Sequence, residues 1–290
     1  MLDHMTSTYI RMALLLVCQS IVDNMAPTKT IGDKYHIFSK QICSGNQGTV
    51  YPGLRIADHK PVAVKILQKF DWCPCNSCCG KKPREICYLE KCQGISGVIK
   101  LYDYDINDHR ILIFMERPCQ SSDLYELISS LGHFTENAAK TYFQQLVRCT
   151  QIMHQIGVVH SDLKVENVLV DLEEKEAKII DFGNAHSTSQ TPARMVATPE
   201  ACPPEEYVVY GQYDAEAVAV WCLGLILYEM VHGQFAFIDR NDVINRDLGI
   251  SRRISESLKD LLRKMLSKHP SDRPKLAEIL QHRWVMETDV

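Results

Sequence analysis

The sequence predicts an α+β chain, with a small β-rich part over residues 35 to 116 and a larger, mostly helical part from about residue 121. Two observations predict it. Short runs rich in β-branched and aromatic residues, divided by turn signals, fill the first stretch. After residue 120 apolar residues recur at helical spacing instead. With 290 residues the chain is long enough for two lobes and a sizeable core.

The strand candidates are YHIFSKQI, TVYPGLRI, KPVAVKIL, VIKLYDYDI and RILIFME. One helix interrupts them. PREICYLEKC, Pro83 to Cys92, opens with proline, which suits a first helical turn. The helical part reads DLYELISSL, ENAAKTYFQQLVRCTQIMHQI, AVWCLGLILYEMV, ISESLKDLLRKML and KLAEILQHRWV. Residues 1 to 34 read as an N-terminal extension, partly disordered, ending in the loop-like APTKTIGD. Its apolar run, Met12 to Cys18, is too short to span a bilayer. Asp3 before it, and the lack of a small-residue cleavage site after it, argue against a signal peptide. A small β-rich lobe followed by a helical lobe places a cleft near residues 115 to 120, and such clefts are favoured ligand sites.

Hydrophobic content of 46% and charge of 23% are those of a soluble globular protein. The net charge of −4 argues against nonspecific nucleic-acid binding and is compatible with a basic substrate. No nucleic acid and no membrane are expected as partners, and the chain is expected to be a monomer. Twelve cysteines are too widely spread for a small disulfide scaffold. They read as reduced thiols in the cytoplasm or the nucleus. WCPCNSCCGKK gathers Cys73, Cys75, Cys78 and Cys79 in a C-x-C-x-x-C-C spacing. Zinc binding, a redox-sensitive loop and an inert solvated loop are three readings of it, and paired C-x-x-C knuckles are absent.

Three stretches carry chemistry. In SGNQGTV, Gly45 and Gly48 would let a hairpin lie close over phosphates, although a plain hairpin carries the same pattern. In VAVK, Val62 and Val64 alternate with Ala63 and Lys65, so one strand face carries a small residue and a cation. Lys65 suits phosphate oxygens as a point charge, or is a solvated strand lysine. Glu85 on the following helix is its candidate partner, with Glu90 a rival on another face. HSDLKVEN is the most specific. Asp162 can accept a hydroxyl proton, Lys164 can steady a transferring phosphoryl group, and Asn167 can ligate a divalent metal. Fourteen residues on, Asp181 of IIDFG offers a second oxygen ligand. Mg²⁺ favours such sparse oxygen ligation completed by nucleotide phosphates.

The order of glycine loop, VAVK, helix glutamate, HxDLKxxN, DFG and PPE resembles the protein kinase set over residues 35 to 286. The resemblance implies a bilobal protein kinase fold. Its N-lobe, residues 35 to 116, would be a small antiparallel β-sheet with one main helix. The hinge would be 116 to 120, and the larger, mostly helical C-lobe 121 to 286. SGVIKLYDYD, IFMERPCQSSDLYELI, AVAVWCLGLILYEMV and HPSDRPKLAEILQHRWV are similar to Pim-like serine/threonine kinases. Pro118 of Glu116-Arg117-Pro118 has no N–H for adenine. ATP would therefore be held through the Glu116 carbonyl, with one hinge hydrogen bond fewer than usual.

Position by position, the resemblance implies that Lys65 pairs with Glu85 and reaches the α- and β-phosphates. Asp162 is the implied base, and Asn167 and Asp181 hold Mg²⁺. Ala63 and Leu169 sandwich adenine with Val50 above, Met115 is the gatekeeper, and Asp123 reaches the ribose. Glu205 pairs with Arg273. Thr198 lines the substrate site near Lys164 and Asp162. Catalysis of this type is mostly positioning and charge stabilisation. The implied activity is transfer of the ATP γ-phosphate to serine or threonine of protein substrates, with ATP and Mg²⁺ as cofactors. Glu166 lies in the catalytic loop, and Asp123 and Glu126 stand at i and i+3 on the helix after the hinge, so they can share a face. These three carboxylates favour substrates with basic residues N-terminal to the phosphoacceptor, as the resemblance also implies.

Four departures bear on this. Ser161 replaces a loop arginine that many kinases pair with a phosphorylated activation loop, so independence of that phosphorylation is expected. Ala219 stands where most kinases have an aspartate. Cys43 replaces the first loop glycine, with Asn46 and Gln47 at the tip. Pro52 removes a ladder donor. Cys43, Asn46, Gln47 and Pro52 together imply a weakened nucleotide grip with catalysis kept. The alternative is a pseudokinase scaffold with weak or no catalysis.

Overall fold

The structure, a computed structural model, describes residues 29–45, 48–74, 82–107, 109–190, 202–207 and 213–287. The chain divides into two compact units. The first runs to Glu90 and includes Ile99–Ser121 and Asp171–Glu174; the second holds Lys91–Val98, Ser122–Val170 and the chain from Lys175.

The first unit is built on seven strands: β1 (Lys29–Ile31), β2 (Tyr35–Ile37), β3 (Cys43–Gly45), β4 (Gly48–Arg55), β5 (Pro61–Leu67), β6 (Leu101–Asn107) and β7 (Arg110–Glu116). They run β1-β2-β4-β5-β7-β6, with β3 paired on β4. Every pairing is antiparallel. One face carries the apolar cluster Tyr35, Ile37, Val62, Val64, Leu112 and Phe114. Tyr35 and Phe114 stack at 4.1 Å. Helix α1 (Arg84–Lys91) is the helix expected from PREICYLEKC.

Two boundaries differ from expectation. β1 falls inside the stretch read as an extension and pairs Lys29 with Ile37. YHIFSKQI is not one strand. It leaves the sheet after Ile37 and returns at Cys43, with Phe38 N–H donating to the Pro52 carbonyl. A run of β-prone residues does not reveal where pairing stops.

The second unit is helical: α2 (Leu124–Leu131), α3 (Glu136–Gln155), α4 (Ala215–His232), α5 (Arg240–Asn245), α6 (Glu256–Met265), α7 (Leu276–Leu280) and α8 (Arg283–Met286). Asp123, Thr135, Asp214, Asp239 and Ser255 cap α2 to α6, each side-chain oxygen accepting a first-turn N–H. KLAEILQHRWV is two short helices rather than one, because His282 opens a new cap by accepting from Trp284 N–H. The short helix α5 has too few periodic positions to be read from the sequence.

Helix α4 is long and apolar enough to cross a bilayer by composition. Fourteen of its eighteen residues are buried in the unit, which makes it a core helix. Small strands complete the unit: β8 (Ser121–Asp123) leads into α2, β9 (Val158–Val159) pairs with β12 (His186–Ser187), and β10 (Val168–Asp171) and β11 (Glu176–Ile179) pair with each other. No disulfide joins any two described cysteines. Cys73 is buried; Cys75, Cys78 and Cys79 lie outside the described residues, as does the apolar run from Met12 to Cys18.

Candidate active site

Strand register assembles the candidate residues of the first unit. Val50 lies opposite Lys65 and Ala63 opposite Met115, so these four side chains share one sheet face. Val62 and Val64 point to the other face, into the apolar cluster. Lys65 is only 5% exposed, which removes the reading of a solvated lysine. Its Nζ donates to Glu85 Oε1 at 2.7 Å and to Oε2 at 2.9 Å. The rival Glu90 is engaged elsewhere, with Lys82 at 2.7 Å.

The glycine hairpin is paired as Cys43↔Val50 and Gly45↔Gly48. The two glycines differ. Gly48 has φ +123°, and a Cβ there would stand 2.5 Å from the Ile66 carbonyl oxygen, so only glycine fits. A Cβ on Gly45 would meet nothing within 4 Å. Asn46 and Gln47 lie outside the described residues. At the end of β7, Glu116 N–H donates to Lys100 O at 2.9 Å, and Glu116 Oε1 accepts Lys100 N–H at 2.7 Å. The Pro118 carbonyl accepts Ser121 Oγ–H at 2.9 Å.

In the second unit the candidate residues centre on Asp162, which is buried. Its Oδ2 accepts Asn167 Nδ2–H at 3.0 Å and Asn184 Nδ2–H at 3.5 Å. Its Oδ1 pairs with Lys164 Nζ at 3.3 Å. Asn167 also donates to the Asp162 carbonyl at 2.8 Å, and its own carbonyl accepts Ile180 N–H at 3.0 Å. The loop holding Asp162 is thus tied to the segment leading into Asp181. Asp181 has φ +67° and accepts Gly183 N–H on Oδ1 at 3.3 Å.

His160 supports the loop from below. Its Nδ1 accepts Asp162 N–H at 3.3 Å, so its Nε2 must donate to Ile180 O at 2.9 Å. Burial lowers its pKa and favours this neutral form. Ala219, buried in α4, carries no acceptor side chain, and the loop amide at Asp162 is satisfied by His160 instead. Ser161 Oγ lies 2.6 Å from His186 Nδ1. Asn184, His160 and His186 were missed in the sequence. Asn184 directly follows DFG, a position worth reading; the histidines stand in no pattern that signals a role.

The carboxylates expected to meet a substrate are less uniform. Glu166 is exposed in the 3₁₀ turn Val165–Asn167, and Glu126 is exposed on α2. Asp123 is not on the helix face; it is the N-cap, and its Oδ1 accepts Glu126 N–H at 2.8 Å. Burial raises its pKa first, and the charges of Glu126 and Glu166 add to the rise. Leu169 lies half-buried in β10. Thr198 lies outside the described residues.

Arg273 anchors the second unit. Its Nη1 and Nη2 donate to Glu205 Oε1 at 2.6 Å and Oε2 at 2.7 Å. Nη1 also reaches Ala217 O at 3.0 Å, and Nε reaches Ser267 O at 3.0 Å. The guanidinium lies 4.9 Å from the Trp221 ring centroid.

A sheet with a buried lysine–glutamate pair, and a helical unit with a held aspartate, asparagine and DFG, are the parts of a protein kinase. The protein kinase domain family matches residues 36–285. The chain belongs to that family, in its serine/threonine class, whose members are ATP-dependent phosphotransferases. It is 32% identical to the serine/threonine-protein kinase pim-2 of Danio rerio over 269 residues, covering 89% of this chain and 87% of that protein. It is 32% identical to the serine/threonine-protein kinase prk-2 of Caenorhabditis elegans over 262 residues, 88% of this chain but 59% of that protein. To an Aurora kinase of Patiria pectinifera it is 30% identical over 199 residues, 66% of this chain and 48% of that protein.

Proposed function

We propose that this kinase transfers the ATP γ-phosphate to serine or threonine of proteins with basic residues N-terminal to the acceptor. The observation that carries catalysis is the buried Asp162 carboxylate held by Asn167, Asn184 and Lys164. A carboxylate so oriented can accept the substrate hydroxyl proton, and Lys164 beside it can stabilise charge gathering on the transferring group. Lys65, fixed by Glu85, would hold nucleotide phosphates.

The donor set fits Mg²⁺. Asn167 uses Nδ2 for both bonds to Asp162, and among the described residues no hydrogen bond reaches its Oδ1. That amide oxygen and the Asp181 carboxylate are hard oxygen ligands, and two such ligands leave the coordination nucleotide phosphates require. Mg²⁺ bound there would neutralise phosphate charge. Proton acceptance and substrate reading remain with Asp162 and the acids around it.

The acids Glu166, Glu126 and Asp123 support a basic substrate: Glu166 and Glu126 are exposed, and their charges add to the rise that burial first gives the Asp123 pKa. Ser161 in place of an arginine supports activity without activation-loop phosphorylation. The test uses phosphatase-treated protein and a basic serine peptide. Activity should survive the treatment, and also joint alanine substitution of Ser187, Thr188, Ser189 and Thr191. A tenfold drop in either case would contradict phosphorylation independence.

A further inference from the structure

Ser161 stands directly before the proposed base and has φ +67°, a left-handed backbone that a residue with a side chain adopts only with local support. That support is visible. Its hydroxyl lies 2.6 Å from Nδ1 of His186, at the short end for such a bond. The imidazole is delivered by β12, which pairs with β9 as His186↔Val159 and Ser187↔Val158. The His186 ring is buried, and Tyr213 stands beside it with centroids 6.1 Å apart. The same two segments are joined again by His160 to the Ile180 carbonyl and by Asn184 to Asp162.

We propose that Ser161 and His186 are a pair of positioning residues. Their hydrogen bond latches the loop carrying Asp162 to the segment carrying Asp181. An arginine there would need an anion to complete it, supplied by modification. The hydroxyl–imidazole hydrogen bond is made between two side chains of this chain and needs no added anion. Neither residue touches a reacting atom; each acts through Asp162. The inference rests on the reading of Asp162 as the base and adds what holds it.

The test uses the full chain, phosphatase-treated, with Ser161→Ala, His186→Gln, His186→Asn and the double variant Ser161→Ala/His186→Gln. Asparagine presents its amide where Nδ1 lies, and glutamine presents it farther out. Ser161→Ala and His186→Gln should each lower kcat by roughly tenfold with the KM for ATP unchanged. The double variant should lose no more than the worse single one, since both break one bond. His186→Asn should recover most of the rate. In parallel, hydrogen exchange at Val158, Val159 and His186 should quicken in the two single variants. Additive losses, or equal rates for His186→Asn and His186→Gln, would overturn the latch. If the wild-type chain transfers no phosphate at all, the kinase reading of this chain fails. Hydrogen exchange then decides the latch alone, and unchanged exchange in both single variants overturns it.

Discussion

Lys65 Nζ and the Glu85 carboxylate meet at 2.7 and 2.9 Å, with both side chains buried in the first unit. Removing one member leaves the other as an uncompensated buried charge, a loss of about 3–5 kcal/mol for such pairs. Glu85→Ala should therefore lower the urea midpoint of the protein and raise the KM for ATP together. A variant that keeps both values would show that the pair neither anchors the helix nor sets the lysine.

Arg273 makes the corresponding anchor in the second unit, and its geometry is that of a planar fork. Lysine has the charge but cannot make two parallel bonds to Glu205 while also reaching two carbonyls. Arg273→Ala should cost about 3–5 kcal/mol. Arg273→Lys should lose a substantial part of that rather than none. Thermal denaturation of the two variants checks this, and a Lys variant as stable as wild type would contradict it.

These two pairs also show what could be read in advance. Lys65 and Glu85 were legible as candidates, because strand alternation sets the lysine opposite two valines and the short helix offers only Glu85 and Glu90; the pairing itself was implied by the family resemblance. Glu205 and Arg273 came only from the family resemblance, since 68 residues separate them and no local pattern joins them. The break after Ile37 was hidden, because pairing partners rather than propensity end a strand. Asp123 was placed on a helix face when it is the cap, a difference of one residue at a boundary. His186 was invisible, since a single histidine in a two-residue strand has no periodicity, and its role appears only once β9 lies beside it.

Acid should weaken the second unit through His232. Its Nε2 accepts Ser251 N–H at 3.1 Å, so its Nδ1 must donate to Tyr228 O at 3.0 Å. Both nitrogens are used by the neutral ring, and burial lowers the pKa. Above about pH 6.5 folded and unfolded chains are both neutral at this site, so its full stability is present. As pH falls further, the unfolded chain takes a proton that the folded ring resists, and stability drops until the lowered folded pKa is passed. The gap in urea midpoint between pH 7.5 and 5.5 should narrow in His232→Ala. An equal gap in both proteins would contradict the assignment.

Substrate charge should be read by Glu166. A hydrogen bond to a charged group contributes about 1.5–3 kcal/mol, so Glu166→Ala should lower kcat/KM for an arginine-bearing peptide by roughly tenfold or more. A matched peptide with alanines in place of the arginines should be nearly unaffected. Equal losses on both peptides would mean that Glu166 supports its turn and does not contact the substrate.

If Asp162, held by Asn167, Asn184 and Lys164, is the base, this chain is a working phosphotransferase. The most direct measurement is incorporation of radiolabelled phosphate from Mg·ATP into a basic serine peptide, wild type against Asp162→Asn. Loss of a general base costs about 10²- to 10⁴-fold, so the variant should fall at least a hundredfold below wild type. Equal incorporation by the two proteins would contradict the account and leave the chain a kinase fold without catalysis.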